Sequence, residues 1–150
     1  MKIYIAGSFA TEHERTTLEH MIELARSKYP IDGFFVPMEH CVQFDHKNED
    51  GTWYLSNPAW AQEVFNTDIT AMRNADHVIA MYTGHRSTTG TAWELGFAHA
   101  IGIPITLYIP AWAKKNDFSL MVLNSASNWM DEKGEVHPVS FDWLNQFNQK

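Results

Sequence analysis

The sequence predicts an α/β protein: a doubly wound parallel sheet, flavodoxin-like or Rossmann-like, with helices on both faces and one domain over residues 1–150. Short apolar, β-branched segments alternate with helical patterns, which favours a parallel sheet with right-handed crossovers. The segment 105–109 is almost wholly apolar, as expected of a strand buried on both faces. A chain of 150 residues with 45% apolar content suits one core.

Residues 2–6 predict the first strand, because they are short, β-branched and aromatic and lead into a tight turn at 7–8. A helix follows, since Thr11 and Glu14 have the spacing of a capping box. The helix stops at 29–30, where Tyr-Pro follows the apolar pattern. The apolar residues at helical intervals are Leu18, Met21, Ile22 and Ala25.

Residues 34–36 predict the second strand, and residues 38–57 follow without a period. A loop of that length inside a domain is often functional. The next helix begins at Pro58, because proline favours the first helical position, and continues to about Asn74. Its apolar stripe consists of Phe65, Ile69 and Met72.

Residues 77–82 predict the third strand, 84–90 a polar turn and 91–101 a helix that ends at Gly102. A small-residue row would let this helix approach the sheet closely: Ala92, Gly96 and Ala100. After the fourth strand at 105–109 we expect a short helix at 118–123, an edge strand at 129–130 and an amphipathic helix at 141–147.

The turns at 7–11 and 83–90 follow the first and third strands, so both should lie at the carboxyl edge of the sheet. Ligands of doubly wound sheets bind at this edge, where the strand order reverses. We therefore expect the functional site there.

The composition excludes several classes of function. A net charge of -7 without any basic run would repel a phosphate backbone, so no polymeric nucleic acid is expected as a partner. The single cysteine and the absence of a signal-peptide pattern predict a cytoplasmic protein. No apolar stretch approaches the roughly 20 residues of a membrane span, which predicts a soluble protein.

Glu94 is the first candidate catalytic residue. The predicted helix places it in the first turn, where the helix amino terminus favours an ionised carboxylate at the ligand-binding edge. Such a carboxylate can act as a nucleophile. Thr91 and Glu94 also have capping-box spacing, so a purely structural role remains open.

Asp68 is the second candidate. Trp60, Val64, Asp68 and Met72 stand four apart and so share a helix side that should face the core. Partial burial would raise the pKa of Asp68 and keep a proton available for donation, although an ordinary acid at the stripe's edge is the alternative. The Tyr4 hydroxyl would need a partner if buried, although core packing also explains an aromatic residue in a strand.

No metal and no cofactor are expected. Residues 7–8 and Gly90 complete neither a dinucleotide fingerprint nor a Walker loop, and scattered histidines define no Ser-His-Asp triad. One crowded group matches no common metal-ligand spacing. That group is His40, Cys41, Asp45 and His46.

Four segments carry a family resemblance. They are Lys-Ile-Tyr-Ile-Ala-Gly-Ser at 2–8, Trp60 with Asp68 eight residues on, Asn-Ala-Asp at 74–76 and Thr-Gly-Thr-Ala-Trp-Glu-Leu-Gly at 89–96. Together they resemble the nucleoside 2-deoxyribosyltransferase family. The similarity runs from residue 1 to about Met121, and the last thirty residues match weakly.

The resemblance implies that Glu94 attacks C1' of the deoxyribose, that Tyr4 orients Glu94 and that Asp68 helps to protonate the departing base. A second nucleobase then attacks, so two inversions at C1' return the β-anomer. Deoxynucleosides and nucleobases are the implied partners, together with a homo-oligomer whose sites are completed across an interface. The implied substrate-binding residues are Gly7, Ser8, Phe9, Trp60, Thr88, Gly90, Ser119 and Met121.

Two positions depart from the transferase pattern. Thr88 stands where these transferases usually have an aspartate for the sugar 5'-hydroxyl, and Ser119 begins the segment that is Asn-Leu-Met in the family. Hydroxyls there could bond phosphate, as in the related 2'-deoxynucleoside 5'-monophosphate N-glycosidases, which carry serine at both places. Against that alternative, residues 9–11 lack the arginine of those hydrolases, and the Asp68–Glu94 spacing is that of the transferases. We expect transfer, with the hydrolase and a catalytically silent nucleotide sensor as alternatives.

Overall fold

The computed structural model describes residues 1–29, 33–40, 58–114, 117–140 and 142. The elements in chain order are β1 (Lys2–Ala6), α1 (Glu12–Lys28), β2 (Gly33–Phe35), α2 (Pro37–His40), α3 (Pro58–Arg73), β3 (His77–Met81), a 3-10 turn (Arg86–Thr88), α4 (Thr89–Ala100), β4 (Ile105–Tyr108), α5 (Leu120–Ser125), β5 (Asn128–Met130) and β6 (Val136–Pro138). Residues 41–57 of the loop predicted at 38–57 lie outside the described residues. The closing helix predicted at 141–147 also lies outside them, apart from residue 142.

The described strands form one sheet in the order β2-β1-β3-β4-β5-β6. The first five strands are parallel, which confirms the doubly wound α/β fold, with the strand order reversing at β1 and β3. The strand predicted at 129–130 is present as β5, but it is not the edge of the sheet, because β6 pairs antiparallel with β5 and forms the edge. A tight turn reverses the chain there, with Asp131 accepting the N–H groups of Lys133 and Glu135 and Gly134 at a φ of 81°.

Helices pack on both faces of the sheet, as predicted, because successive strand residues point to opposite sides. Ile3 and Ile5 face a core that contains Leu18 and Met21 of α1. Tyr4 and Ala6 face a second core formed with α3, α4 and α5. The helix residues of that second core include Met72, Leu95, Ala98 and Leu123.

Helix boundaries agree with the sequence except around α2, α4 and α5, which spans Leu120–Ser125 rather than 118–123. The Thr11 hydroxyl accepts the Glu14 N–H at 3.1 Å, which confirms the predicted cap of α1. Three residues of the predicted loop, 38–40, instead form α2 together with Pro37. Helix α4 begins at residue 89 rather than 91, because the 3-10 turn leads directly into it.

The small-residue row predicted for α4 does not approach the sheet. Gly96 and Ala100 are exposed, and a Cβ added to Gly96 would meet no atom within 4 Å. The side of α4 that packs on the sheet instead carries Thr91, Leu95 and Ala98. None of the described helices is long and apolar enough to cross a membrane.

Candidate active site

A cavity of about 480 Å³ lies between α3 and α4. That volume is typical of a small-molecule site. The α3 side contributes Trp60, Val64, Asp68 and Met72, and the α4 side contributes Gly90, Trp93 and Glu94. The residues four apart on α3 therefore share one side, as predicted, but that side faces a cavity as well as the core.

A second depression of about 670 Å³ lies along another side of α3. Phe35, Gln62 and Asn66 are among its lining residues, and Glu63 is the titratable group that the structure places there. The depression therefore lacks the pair of carboxyl groups that makes the first cavity chemically capable.

Tyr4 connects the sheet to Glu94. Its hydroxyl donates a hydrogen bond to Glu94 Oε2. The side chain of Tyr4 is fully buried, so this bond gives its hydroxyl the partner that burial requires. Strand β1 is held between β2 and β3, which fixes the position of the donor.

The capping interpretation of Glu94 is wrong. Thr88 is the N-cap of α4, so Glu94 lies in the second turn and Thr91 is buried inside the helix. The expectation that the first helical turn stabilises the Glu94 carboxylate fails for the same reason, because the effect of the helix dipole is confined to the terminal turn.

Both carboxyl groups have raised pKa values. Burial raises the pKa of Glu94 to about 7, with the Tyr4 hydrogen bond opposing the shift and the charge of Asp68 adding to it. Burial also raises the pKa of Asp68 to about 6, against the opposing charge of His40. Both carboxyl groups therefore titrate near neutral pH, as groups at functional sites often do.

The first loop lies at the same edge as the turn after β3, because Ala6 pairs with Ala80. Gly7 packs closely on α1, since a Cβ there would lie 2.7 Å from Leu18 Cδ1 and would make that side chain shift. Ser8 and Phe9 are half-buried. The Arg15 guanidinium donates to the Phe9 carbonyl at 3.2 Å.

The two positions that depart from the transferase pattern lie outside the lining of the first cavity, as far as the described residues define it. Thr88 is buried, and its hydroxyl donates to the His85 carbonyl. Ser119 is exposed, and its backbone N–H donates to the Tyr82 hydroxyl at 3.0 Å. Met121 is 83% exposed.

Sequence reasoning missed the aromatic contacts of Tyr4. Phe35 of β2 stacks on Tyr4 of β1. His40, the last residue of α2, stacks in turn on Phe35. The ring sequence follows from the pairing of Tyr4 with Phe35 in the sheet, which only strand register could reveal.

One group of side chains has the composition of a metal site. Asp131, Glu135 and His137 bring ligand atoms within 4.8 Å of one another. Hydrogen bonds of the β5–β6 turn account for this group, because Asp131 accepts two backbone N–H groups and pairs with His137 at 2.9 Å.

The sequence is similar to those of known nucleoside deoxyribosyltransferases. Residues 3–132 match the family model described as Nucleoside 2-deoxyribosyltransferase. A nucleoside deoxyribosyltransferase of Lactobacillus johnsonii is 25% identical over 83% of this chain and 83% of its own length. One of Limosilactobacillus fermentum is 23% identical over 98% of this chain and 85% of its own length.

Two solved structures share the fold. A 2-deoxyribosyltransferase from Bacillus psychrosaccharolyticus superposes with a TM-score of 0.67 at 24% identity, covering 100% of this chain and 93% of its own. A conserved protein from Enterococcus faecalis gives a TM-score of 0.58 at 21% identity, covering 77% of this chain and 66% of its own.

Proposed function

Since the chain belongs to the nucleoside 2-deoxyribosyltransferase family, we propose that it transfers 2-deoxyribose between nucleobases through a covalent bond to Glu94. The observation that carries this proposal is the pair of carboxyl groups in one cavity, Glu94 held by Tyr4 and Asp68 on the facing helix. Both have raised pKa values, so the singly protonated pair is populated near neutral pH. Because the pKa of Glu94 is the higher, the reactive form, with Glu94 ionised and the proton on Asp68, is the less populated of the two arrangements.

In the first half-reaction a carboxylate oxygen of Glu94 attacks C1' of the bound deoxynucleoside. The bond from C1' to the base nitrogen breaks, and the proton of Asp68 passes to the base. The base leaves as a neutral molecule, and the sugar remains as an ester on Glu94. The transition state has oxocarbenium character, which the negative charge of Glu94 stabilises.

In the second half-reaction another nucleobase enters the vacated space. Its ring nitrogen attacks C1', the ester bond breaks, and the released proton returns to Asp68. Glu94 is regenerated as a carboxylate beside the Tyr4 hydroxyl. Each half inverts C1', so the product keeps the β-configuration, and the cycle consumes no cofactor.

Free deoxynucleosides are the substrates that the described contacts favour. A phosphate pocket would need donors at the 5' end, but the Thr88 hydroxyl is already bonded to the His85 carbonyl. Gly7, Ser8, Phe9, Trp60, Gly90 and Ser119 complete the proposed substrate-binding set.

We also propose that the enzyme works as a homo-oligomer. Leu120 and Met121 are 56% and 83% exposed on α5, next to Ser119. Two neighbouring large apolar side chains gain most if another subunit covers them. Light scattering of wild type and Met121→Glu tests this; the same molar mass for both, equal to that of one chain, would contradict it.

The decisive experiment for the covalent mechanism uses Glu94→Gln. We expect loss of turnover with retained nucleoside binding, because the amide preserves shape but is not a nucleophile. Intact-mass analysis after mixing with deoxyinosine should detect a deoxyribosyl adduct on the wild type only. Glu135→Gln, at the exposed β5–β6 turn, is the matched control and should retain both activity and adduct.

Product analysis distinguishes the transferase, the hydrolase and the catalytically silent nucleotide sensor. Deoxyinosine with adenine should yield deoxyadenosine and hypoxanthine. Release of adenine from dAMP alone, with no exchange, would identify the hydrolase instead. Binding of either compound without products would identify a sensor.

A further inference from the structure

His40 begins a stack of rings that leads to Glu94. Its imidazole lies 4.5 Å from the Phe35 ring centroid and is nearly parallel to it, at 6°. Phe35 stacks on Tyr4 with centroids 5.6 Å apart and an angle of 12°. Tyr4 then donates its hydroxyl hydrogen bond to Glu94. Three rings therefore connect an exposed imidazole to the proposed nucleophile.

Neighbouring contacts hold His40 in this position. Its backbone N–H donates to the Val36 carbonyl at 3.3 Å. The preceding residue, Glu39, pairs with Arg26 of α1 at 3.1 Å, which ties α2 to α1. An exposed ion pair contributes little stability, but it restricts where α2 can lie.

His40 also acts on Asp68. Burial is the larger influence on that carboxyl group and raises its pKa, whereas the charge of His40 lowers it. Glu94 on α4 brings a second carboxyl group to the same region, and Tyr4 on β1 donates a hydrogen bond to it. Arg73, on the helix of Asp68, instead lies 5.7 Å from the Phe97 ring centroid. His40 therefore supplies positive charge to a site whose other described groups are acidic.

We propose that His40 is a positioning residue for the transfer: its ring holds Phe35 against Tyr4, and its positive charge stabilises the carboxylate that Asp68 becomes once the base has taken its proton. The inference rests on the proposed function, in which Asp68 is the proton donor.

The first test measures the titration of Asp68 in the unliganded protein. NMR of its carboxyl carbon gives the midpoint in wild type and in His40→Phe. Phenylalanine keeps a ring on Phe35 but removes the charge. We expect the Asp68 midpoint to move to higher pH in His40→Phe. His137→Phe is the matched control, because His137 lies on β6, stacks on Trp129 at 4.6 Å and pairs with Asp131 of the β5–β6 turn. It should leave the Asp68 midpoint unchanged.

The second test is kinetic. In His40→Phe the alkaline limb of kcat/KM should move to higher pH with the Asp68 midpoint, while KM changes little. His40→Ala removes the ring as well and should lower kcat severalfold further, because Tyr4 is held less firmly against Glu94. His40→Lys carries a positive charge but has no ring to stack on Phe35. It should restore the alkaline limb of wild type but not the wild-type kcat.

An Asp68 midpoint that is the same in wild type and His40→Phe would overturn the inference. Equal kcat in His40→Phe and His40→Ala would overturn its stacking part. A shifted midpoint in a protein that forms no transfer product would contradict the proposed function instead, while supporting the coupling of His40 to Asp68.

Discussion

At the scale of single residues, Glu94 and Asp68 share a cavity but differ in what surrounds them. Glu94 accepts the Tyr4 hydroxyl, and the charge of Asp68 raises its pKa further. The charge of His40, in contrast, lowers the pKa of Asp68. Because one carboxyl group feels the charge of the other, the pair loses its two protons in two steps, near pH 6 and pH 7.

The activity should follow that titration. We expect a bell-shaped profile of kcat/KM with its maximum between about pH 6 and 7, where one proton is shared by the pair. Asp68→Asn should remove the alkaline limb, because no proton is then lost from position 68, and should keep an acid limb, because Glu94 must still ionise. An alkaline limb that persists in Asp68→Asn would assign it to another group.

Asp68→Asn should also discriminate among leaving groups. Loss of a general acid costs about a hundredfold or more, and the cost falls as the leaving base becomes a weaker base. Deoxyadenosine should therefore lose more rate than a substrate with an activated leaving group. Asp76→Asn is the control, since Asp76 accepts the Lys2 N–H at the other end of the strands. Equal losses for both substrates would assign Asp68 to sugar placement.

The family resemblance implies that position 88 lies at the 5' end of the substrate, although Thr88 does not line the cavity, so substitutions there test how that end is recognised. We expect wild type to use deoxyadenosine far better than dAMP, and Thr88→Asp to widen that preference by about a hundredfold, because a carboxylate opposes the phosphate dianion. Thr88→Ser should behave like wild type. The ratio of kcat/KM for the two substrates is the measurement, and a wild-type preference for dAMP would favour the hydrolase.

At the scale of elements, the connection from β3 to α4 places Glu94. Gly84 has a φ of 75°, and a Cβ there would lie 2.5 Å from the Asp117 carbonyl oxygen. The 3-10 turn that follows sets the first residue of α4 and therefore the direction of Glu94. A loop conformation, rather than helix propensity, thus determines that the carboxylate meets Tyr4.

Glycine substitutions should separate these two elements. Gly84→Ala should lower the free energy of unfolding by about 1–3 kcal/mol, because alanine clashes with residue 117 and disfavours a positive φ. Gly96→Ala should raise it by about 0.5–1 kcal/mol, since its Cβ meets nothing and alanine favours the helix. Urea denaturation measures both, and an unchanged midpoint for Gly84→Ala would show that the loop can shift without cost.

At the scale of the whole molecule, the proposed site should weaken the fold at neutral pH. A carboxyl group whose pKa is raised on folding stabilises the protein fully below its unfolded pKa, and this contribution is lost as pH rises through the folded pKa. For Glu94 that window runs from 4.5 to about 7, and for Asp68 from 3.8 to about 6.

Glu94→Gln should therefore be more stable than wild type at pH 8, by about 1–3 kcal/mol, and should differ little from it at pH 4. Comparing the two proteins cancels the contribution of His77, whose lowered pKa weakens the fold at acid pH. Denaturant midpoints at both pH values test this. A constant difference between the proteins across the range would contradict the burial of the Glu94 charge.

Much of the fold follows from local sequence patterns. The segment at 2–6, the cap at Thr11 and the start at Pro58 each satisfy a local rule, and the structure confirms them. The spacing of Asp68 from Trp60 and Val64 also fixed which side of α3 it occupies, because helix geometry is regular.

Only the tertiary structure decided how these pieces meet. The partner of Glu94 is Tyr4, ninety residues away, and no local pattern distinguishes that hydrogen bond from a helix cap. The antiparallel pairing of β6 with β5 depends on the turn at Asp131, and each of these strands is three residues long. The stack of His40 on Phe35 and Tyr4 required strand register. The sequence by itself determined the elements and the acids on them, because these depend on near neighbours, whereas burial, pairing and proton affinity depend on residues distant in the chain.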